Sequence, residues 1–148
     1  MANGHDRETR EHAGAFTPDA CVASNDIGLG KIVEAATRSK FWKEMAIFVI
    51  EDDAQNGPDH VDAHRTIGFV ISPYCKRGVV DSTLYTTASM IRTMELILGL
   101  PPLTQYDAGA TPLFECFRRT ARITPYNPVM PTVDLLAISP CSSPADPQ

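Results

Sequence analysis

The chain has 148 residues, of which 43% are hydrophobic, and a formal net charge of −5. This length and composition suffice for one soluble domain with a hydrophobic core. The negative charge and the scattered Lys and Arg residues argue against a nucleic-acid partner, because binding to phosphate backbones needs a clustered basic face. No apolar run is long enough to cross a bilayer, and the polar start MANGHDRETREH does not resemble a secretory signal. We therefore expect no membrane span and, for the chain as written, a cytoplasmic location.

The first predicted element is a helix over TPDACVASNDIGLGKIVEAATRS, residues 17–39. Thr17 can cap its N-terminus, Pro18 suits the first turn, and Arg38 lies in the last turn, where the helix dipole favours cations. Helical spacing predicts that one side is apolar. The residues expected on that side are Val22, Leu29, Ile32, Val33 and Ala36.

Two strands are predicted next, over MAIFVIE (45–51) and TIGFVIS (66–72). Both are apolar runs of strand length without alternation, which is typical of strands buried on both faces in a parallel sheet covered by helices. A short extended piece is expected at Val79 and Val80. The order helix, strand, loop, strand, helix indicates an α/β fold.

A second helix is predicted from Thr87 to Leu98, and GLPP stops it. Its inward-facing residues are expected to be Met90, Ile91, Met94, Ile97 and Leu98. Beyond it, TPLFECFRR can form a short helix, and the favoured interpretation of the basic residues at 118, 119 and 122 is a solvated helix face rather than a binding patch. Nine of the twelve prolines fall from residue 101 onward, so the C-terminal residues are expected to be extended and poorly ordered.

Seven acids and histidines lie within fourteen residues, EDDAQNGPDHVDAH (51–64). The whole chain has 18 Asp and Glu and 4 His residues, so a window of this size should hold about two. In open α/β sheets, ligands bind beyond the carboxyl ends of the strands, where this stretch begins. Carboxylates and imidazoles suit zinc, manganese or magnesium ions. The sequence therefore predicts a metal site at Asp52 and Asp53, joined by His60 or His64.

The competing interpretation is a solvated acidic turn, in which Gly57 and Pro58 bend the chain and the carboxylates face water. Glu51 is the weakest member of the stretch, because it can simply end the first strand. His5 and His12 lie in a polar segment where a histidine is usually exposed and without a function. No GxSxG motif or phosphate-binding loop supplies a nucleophile.

The residues IFVIEDDAQNGPDHVDAHR and FVISPYCKRGVVDSTLYTTASMIRTMELILGLPP resemble the C-terminal part of a bacterial phosphoesterase family. That family includes phospholipase C and acid phosphatase enzymes and belongs to the alkaline phosphatase superfamily. The similarity reaches back through VASNDIGLGKIVEAATRSKFW to NGHDRET, and so covers about residues 3–127. It implies a partial alkaline-phosphatase-like sandwich, in which helices flank a central, mostly parallel sheet. It also implies hydrolysis of phosphate esters with a divalent metal ion, which could be zinc, manganese, magnesium or calcium.

The resemblance gives roles to individual residues. The paired acidic motif that ligates the metal corresponds to Asp52 and Asp53, and His64 is a further candidate ligand. The Asp-His pair that follows corresponds to Asp59 and His60, which places His60 near the phosphate or the metal. A family segment reading Asn-Asp-His appears here as residues 3–5, Asn-Gly-His, which makes His5 a candidate phosphate contact although the central acid is missing.

Family members are several hundred residues long and carry, far upstream, an acidic metal ligand and a Ser or Thr nucleophile. No residue before Asp52 matches that segment. The resemblance therefore implies that residues 1–127 are the C-terminal portion of a phosphoesterase domain. The proline content predicts that a Pro-rich, poorly ordered tail follows at 128–148. We expect weak or no activity from this chain alone, and association with another chain through an exposed sheet edge. Full-length relatives are often exported, which leaves the location open.

Two alternatives to a phosphate-ester hydrolase remain at this point. One is a non-catalytic remnant that binds a metal or phosphate and acts by pairing with another chain. The other is a structural α/β fragment whose acidic loop only faces water.

Overall fold

The computed structural model describes residues 16–51 and 66–138. In chain order these residues form α1 (Pro18–Arg38), a 3₁₀ turn (Trp42–Glu44), β1 (Ile47–Ile50), β2 (Gly68–Ile71), α2 (Thr87–Leu98), α3 (Gln105–Ala108) and a second 3₁₀ turn (Phe114–Cys116). The described part of the chain is therefore α/β, with a two-stranded sheet. It divides into two compact units: one contains the residues up to Ser39 and from Pro125 onward, and the other contains residues 40–124.

Helix α1 begins and ends where its capping residues predict. The Ala20 N–H donates a 3.2 Å hydrogen bond to Thr17 Oγ1, Pro18 occupies the first turn, and Arg38 lies in the last. The predicted apolar side is only partly right, because Val33 is buried whereas Val22 is 70% exposed and Ile32 is 61% exposed. Small residues form much of the buried side instead: Ala20, Cys21, Ala23, Ile27, Gly30, Val33 and Thr37.

Small residues are buried on α1 because the C-terminal segment passes close to it. The Tyr126 N–H donates a 3.0 Å hydrogen bond to Thr37 Oγ1 near the helix C-terminus. A Cβ atom built on Gly30 would lie 3.2 Å from Pro128 Cβ, which is closer than carbon atoms normally pack. The chain therefore crosses Gly30 on its way back along the helix.

The same segment reaches the N-terminus of α1. The Thr17 N–H donates a 2.9 Å hydrogen bond to the Ala137 carbonyl, and Phe16 pairs with Ile138 in an antiparallel bridge. Residues 125–137 make these contacts without forming a helix or strand of their own. Residues 139–148 lie outside the described residues, and the boundary expected after residue 127 stays a prediction.

Strands β1 and β2 confirm the two predicted strands, but they pair with each other in antiparallel register, from Ile47 opposite Ile71 to Ile50 opposite Gly68. The prediction that they are buried on both faces is wrong for this part of the chain, since Ile50 is 40% exposed and Phe69 is 48% exposed. The physical reason is that an apolar run indicates that the side chains of a strand tend to be buried, but it does not indicate which part of a protein buries them.

Helix α2 has the predicted bounds, with Thr86 and Ser89 in a reciprocal capping box and Gly99 ending it at φ 69° in the left-handed region. Its burial differs from the prediction. Met90 is buried as expected, but Ile97 and Leu98 are 55% and 69% exposed. The buried positions include three polar residues, Ser89, Thr93 and Glu95. Ser89 bonds within the helix cap, whereas Thr93 and Glu95 bond to other segments; for example, the Leu113 N–H donates a 2.9 Å hydrogen bond to Thr93 Oγ1.

Two carboxylates fix the corner between α2 and α3. The Leu103 N–H lies 3.2 Å from Glu95 Oε1 and 2.7 Å from Asp107 Oδ2, so both carboxylates accept from one donor. Arg92 balances the charge of Glu95 with a 3.1 Å ion pair. The hydrogen bond from the Thr104 hydroxyl lowers the pKa of Asp107 to about 2, so this carboxylate is ionised at neutral pH. Sequence patterns did not predict α3, whose cap depends on this corner.

Helix formation predicted over TPLFECFRR is limited to the 3₁₀ turn at 114–116. The residues that follow it pair with the segment after β2. Cys75 and Phe117 form an antiparallel bridge, and the Arg118 N–H donates a 2.8 Å hydrogen bond to the Tyr74 carbonyl. The prediction that the basic residues at 118–122 lie on a solvated helix face is therefore wrong. The extended piece expected at Val79 and Val80 forms no strand.

Candidate functional site

Every predicted site residue lies outside the described residues: His5, Asp52, Asp53, Asp59, His60 and His64. The chain's four histidines all fall in those parts of the sequence. The positions of the candidate metal ligands therefore stay predictions. The structure does describe the frame to which the acidic stretch is attached.

That frame is the end of the β1–β2 hairpin from which the connecting residues leave. The Glu51 N–H donates a 3.3 Å hydrogen bond to the Ile67 carbonyl, and Thr66 Oγ1 donates a 2.5 Å hydrogen bond to Glu51 Oε2. The chain leaves β1 and enters β2 at the same end of the hairpin, with the fourteen residues 52–65 between. Opposed residues of an antiparallel pair have Cα atoms about 5 Å apart, so both ends of the acidic stretch are attached at nearly one point.

Glu51 has a different role from its acidic neighbours. It follows the last residue of β1, as the sequence interpretation allowed, and its side chain closes the hairpin by accepting from Thr66. This exposed carboxylate is thus already engaged in holding the two chain ends. Asp52 and Asp53, which come next in the sequence, remain the candidates for a metal.

The hairpin end rests on helix α2. Gly68 pairs with Ile50 at the last position of the ladder, and a Cβ atom built on Gly68 would lie 3.4 Å from Met90 Cε. Met90 is only 8% exposed and belongs to the first turn of α2. A buried side chain on a capped helix thereby supports the point where the acidic stretch is attached.

The described cysteines of the same unit are poor nucleophile candidates. Burial is the main cause that raises the pKa of Cys75 and of Cys116 above their ordinary values. A thiol must ionise to attack, so a raised pKa disfavours this role at neutral pH. Cys75 Sγ instead lies 3.2 Å from the Val70 carbonyl, to which it donates.

Asp81 is the other described acid with a notable environment. Its pKa lies below the ordinary value, chiefly because the Thr83 hydroxyl donates to it at 2.7 Å, and the Tyr85 hydroxyl adds a 2.8 Å bond. These bonds form a local turn that satisfies the carboxylate. Within residues 16–51 and 66–138, no three His, Cys, Asp or Glu side chains are arranged to hold a metal ion.

Sequence reasoning missed one charged feature, the ladder between residues 73–77 and 115–122. It joins Lys76 and Arg77 to three arginines from about forty residues later in the chain. In the sequence itself, only the run RRTAR stands out, because a charge pattern relates residues that are neighbours along the chain and not residues that pair between distant segments.

No family model matches this sequence, and no curated protein matches it. The resemblance to phosphoesterases therefore remains a hypothesis based on the quoted motifs. Among the described helices, none is both long and apolar enough to cross a membrane.

Proposed function

We propose that the chain is the C-terminal portion of a metal-dependent phosphoesterase, a phosphatase or phospholipase C-like hydrolase acting on phosphate esters. The observation that carries the proposal is the stretch 51–64, which has seven acids and histidines and joins two paired strands. A solvated turn between two strands needs neither this density nor imidazoles. The closed hairpin base supports the proposal, because it limits how far the two ends of the stretch can separate.

In the proposed site, Asp52, Asp53 and His64 hold a divalent ion. Aspartate oxygens with imidazole nitrogens are a donor set that suits zinc or manganese, and the carboxylates also suit magnesium or calcium. When bound, the ion would polarise the phosphoryl oxygen of the ester. His60 and His5 would contact the phosphate and stabilise the charge that develops on its oxygens.

The proposal includes a larger, mostly parallel sheet of the alkaline-phosphatase type. The antiparallel β1–β2 pair is compatible with it, since mixed sheets often carry an antiparallel strand at one edge. Half-exposed apolar residues such as Ile50 and Phe69 support a partner for this hairpin, through an added strand or a covering segment. The association of another chain with this sheet edge is part of the proposal.

Independent hydrolysis by this chain should be weak or absent. The family's Ser or Thr nucleophile segment has no counterpart among the residues before Asp52, and removing a nucleophile costs several orders of magnitude in rate. The second candidate function is a non-catalytic remnant that binds a metal or phosphate and pairs with another chain. The two candidates share the metal site and differ only in turnover.

A chelator-sensitive melting curve tests the metal site. Wild type, Asp53→Ala and the matched control Asp26→Ala, an exposed acid of α1, are melted with manganese or zinc and again with EDTA. A bound ion stabilises the folded state by mass action, so wild type and the control should melt at higher temperature with metal than with EDTA, and Asp53→Ala should not. Equal, metal-independent melting of all three would eliminate both candidates.

Hydrolysis of a chromogenic phosphate ester then distinguishes the candidates. The assay is run with each of the four metals, with His60→Ala as the site variant. Turnover that depends on the metal and on His60 supports the enzyme. Metal binding without turnover is expected of any portion that lacks the nucleophile segment, and it supports the metal site alone.

A further inference from the structure

The ladder of residues 73–77 with 115–122, called here the basic ladder, gathers charge that is dispersed in the sequence. Three backbone hydrogen bonds of 2.8 Å join it: the Lys76 N–H to the Cys116 carbonyl, the Arg118 N–H to the Tyr74 carbonyl, and the Arg122 N–H to the Pro73 carbonyl. Its thirteen residues include five of the chain's 13 Lys and Arg residues and a single acid. In a chain with a net charge of −5, these thirteen residues therefore have five positive side chains against one negative side chain.

Most of this charge is available at the surface. Arg77, Arg118, Arg119 and Arg122 are exposed, while Lys76 is half-buried and forms a 2.8 Å ion pair with Glu115. Within the described residues, the guanidinium groups of Arg77, Arg119 and Arg122 have no ion-pair partner. Asp81 is the other acid close enough to interact with Lys76, and its oxygens already accept from Thr83 and Tyr85. The positive charge is thus not neutralised within the ladder.

Exposed apolar side chains flank these cations along the sequence. Val79 and Val80, which follow Arg77 after one glycine, are 60% and 96% exposed. Phe114 is 68% exposed directly before Glu115, and Ile123 is 51% exposed directly after Arg122. Basic residues next to exposed aliphatic side chains suit a membrane interface, where the cations meet anionic headgroups and the apolar groups enter the acyl boundary.

We propose that the basic ladder is a docking surface for an anionic phospholipid bilayer. Charge complementarity selects an anionic partner, and the exposed aliphatic side chains of Val79, Val80 and Ile123 favour a bilayer, because such groups can enter its acyl boundary whereas a nucleic acid offers them no apolar phase. Binding of this kind places the chain on a membrane surface without a spanning helix. Membrane docking through this surface does not depend on the metal site or on hydrolysis, so it can be refuted without refuting the proposed phosphoesterase function.

Vesicle flotation tests the proposal on the intact chain. The vesicles contain either phosphatidylcholine alone or phosphatidylcholine with about a third phosphatidylserine. The site variant is Arg77→Gln/Arg119→Gln, and the control, Lys31→Gln/Lys43→Gln, removes the same charge from exposed residues outside the ladder. Circular dichroism of both variants verifies folding; a misfolded site variant is replaced by Arg119→Gln.

Wild type and the control should partition onto the anionic vesicles and not onto the neutral ones. Loss of two surface cations should weaken partitioning of the site variant about 30-fold. Raising the salt from 0.1 to 0.5 M should reduce wild-type binding more than tenfold, because exposed charges are screened. The proposal is overturned if wild type does not distinguish the two vesicle types, if the site variant binds like the control, or if a single-stranded oligonucleotide competes fully at equal phosphate concentration.

Discussion

Replacing Gly30 with alanine should leave the protein less stable than replacing Gly28, two residues earlier on α1. A glycine inside a helix costs about 1 kcal/mol relative to alanine, so each substitution starts with that gain. A Cβ at Gly28 meets nothing within 4 Å, whereas at Gly30 it would lie 3.2 Å from Pro128 Cβ. That separation is a few tenths of an ångström too short, and the proline ring, fixed to the backbone, cannot swing aside.

Overpacking of this kind costs about 1–3 kcal/mol. We therefore expect Gly28→Ala to stabilise the protein by about 1 kcal/mol, and Gly30→Ala to change stability by between 0 and −2 kcal/mol, roughly. For a chain of this length, the two variants should differ in melting temperature by about 2–12 °C. Thermal unfolding followed by circular dichroism measures both.

A double-mutant cycle attributes the difference to the stated contact. Pro128→Gly removes the atom that the new methyl group would meet, so Gly30→Ala should gain about 1–3 kcal/mol in that background relative to wild type. If Gly28→Ala and Gly30→Ala raise the melting temperature equally, or if the cycle shows no coupling, the C-terminal segment does not pass over Gly30 and the account of α1 is wrong.

Two further predictions concern α2 and its corner. The pKa of Asp107 is 3.8 in the unfolded chain and about 2 in the folded protein, so its contribution to stability is present above pH 4 and is lost as the pH drops towards 2. In Asp107→Asn, the free energy of unfolding should therefore change less with pH over that range than in wild type. The same pH dependence in both proteins would contradict the hydrogen bonds described for the corner. On α2 itself, urea unfolding should show that Met90→Ala costs about 2 kcal/mol and Leu98→Ala less than about 0.5, because Met90 is buried and Leu98 is 69% exposed. A cost for Leu98→Ala as large as that for Met90→Ala would instead support the amphipathic face that the sequence predicts.

Helix bounds were predictable because their signals are local. Capping residues act on the backbone within one turn, as Thr17 and Pro18 do in α1 and Thr86 and Gly99 do in α2. Both helices have the bounds that these residues predict. Buried faces were less predictable. Thr93 and Glu95 are buried by bonds to residues 113 and 103, and nothing within α2 reveals those partners.

The candidate site divides in the same way. The acidic stretch is visible as a local excess of acids and histidines, and the strands on either side of it were predicted from composition. Their antiparallel pairing, and the closure of the hairpin by Glu51 and Thr66, depend on the register between strands and were not predictable. The basic ladder was missed for the same reason, since its two segments are separated by about forty residues.

Calorimetric titration of manganese and zinc into the purified chain tests the central claim most directly. Wild type should bind one ion, and Asp52→Ala/Asp53→Ala should bind none while it keeps the wild-type circular dichroism spectrum. Wild-type stoichiometry in the double variant, or no binding by wild type at any accessible concentration, would contradict a metal site in the acidic stretch.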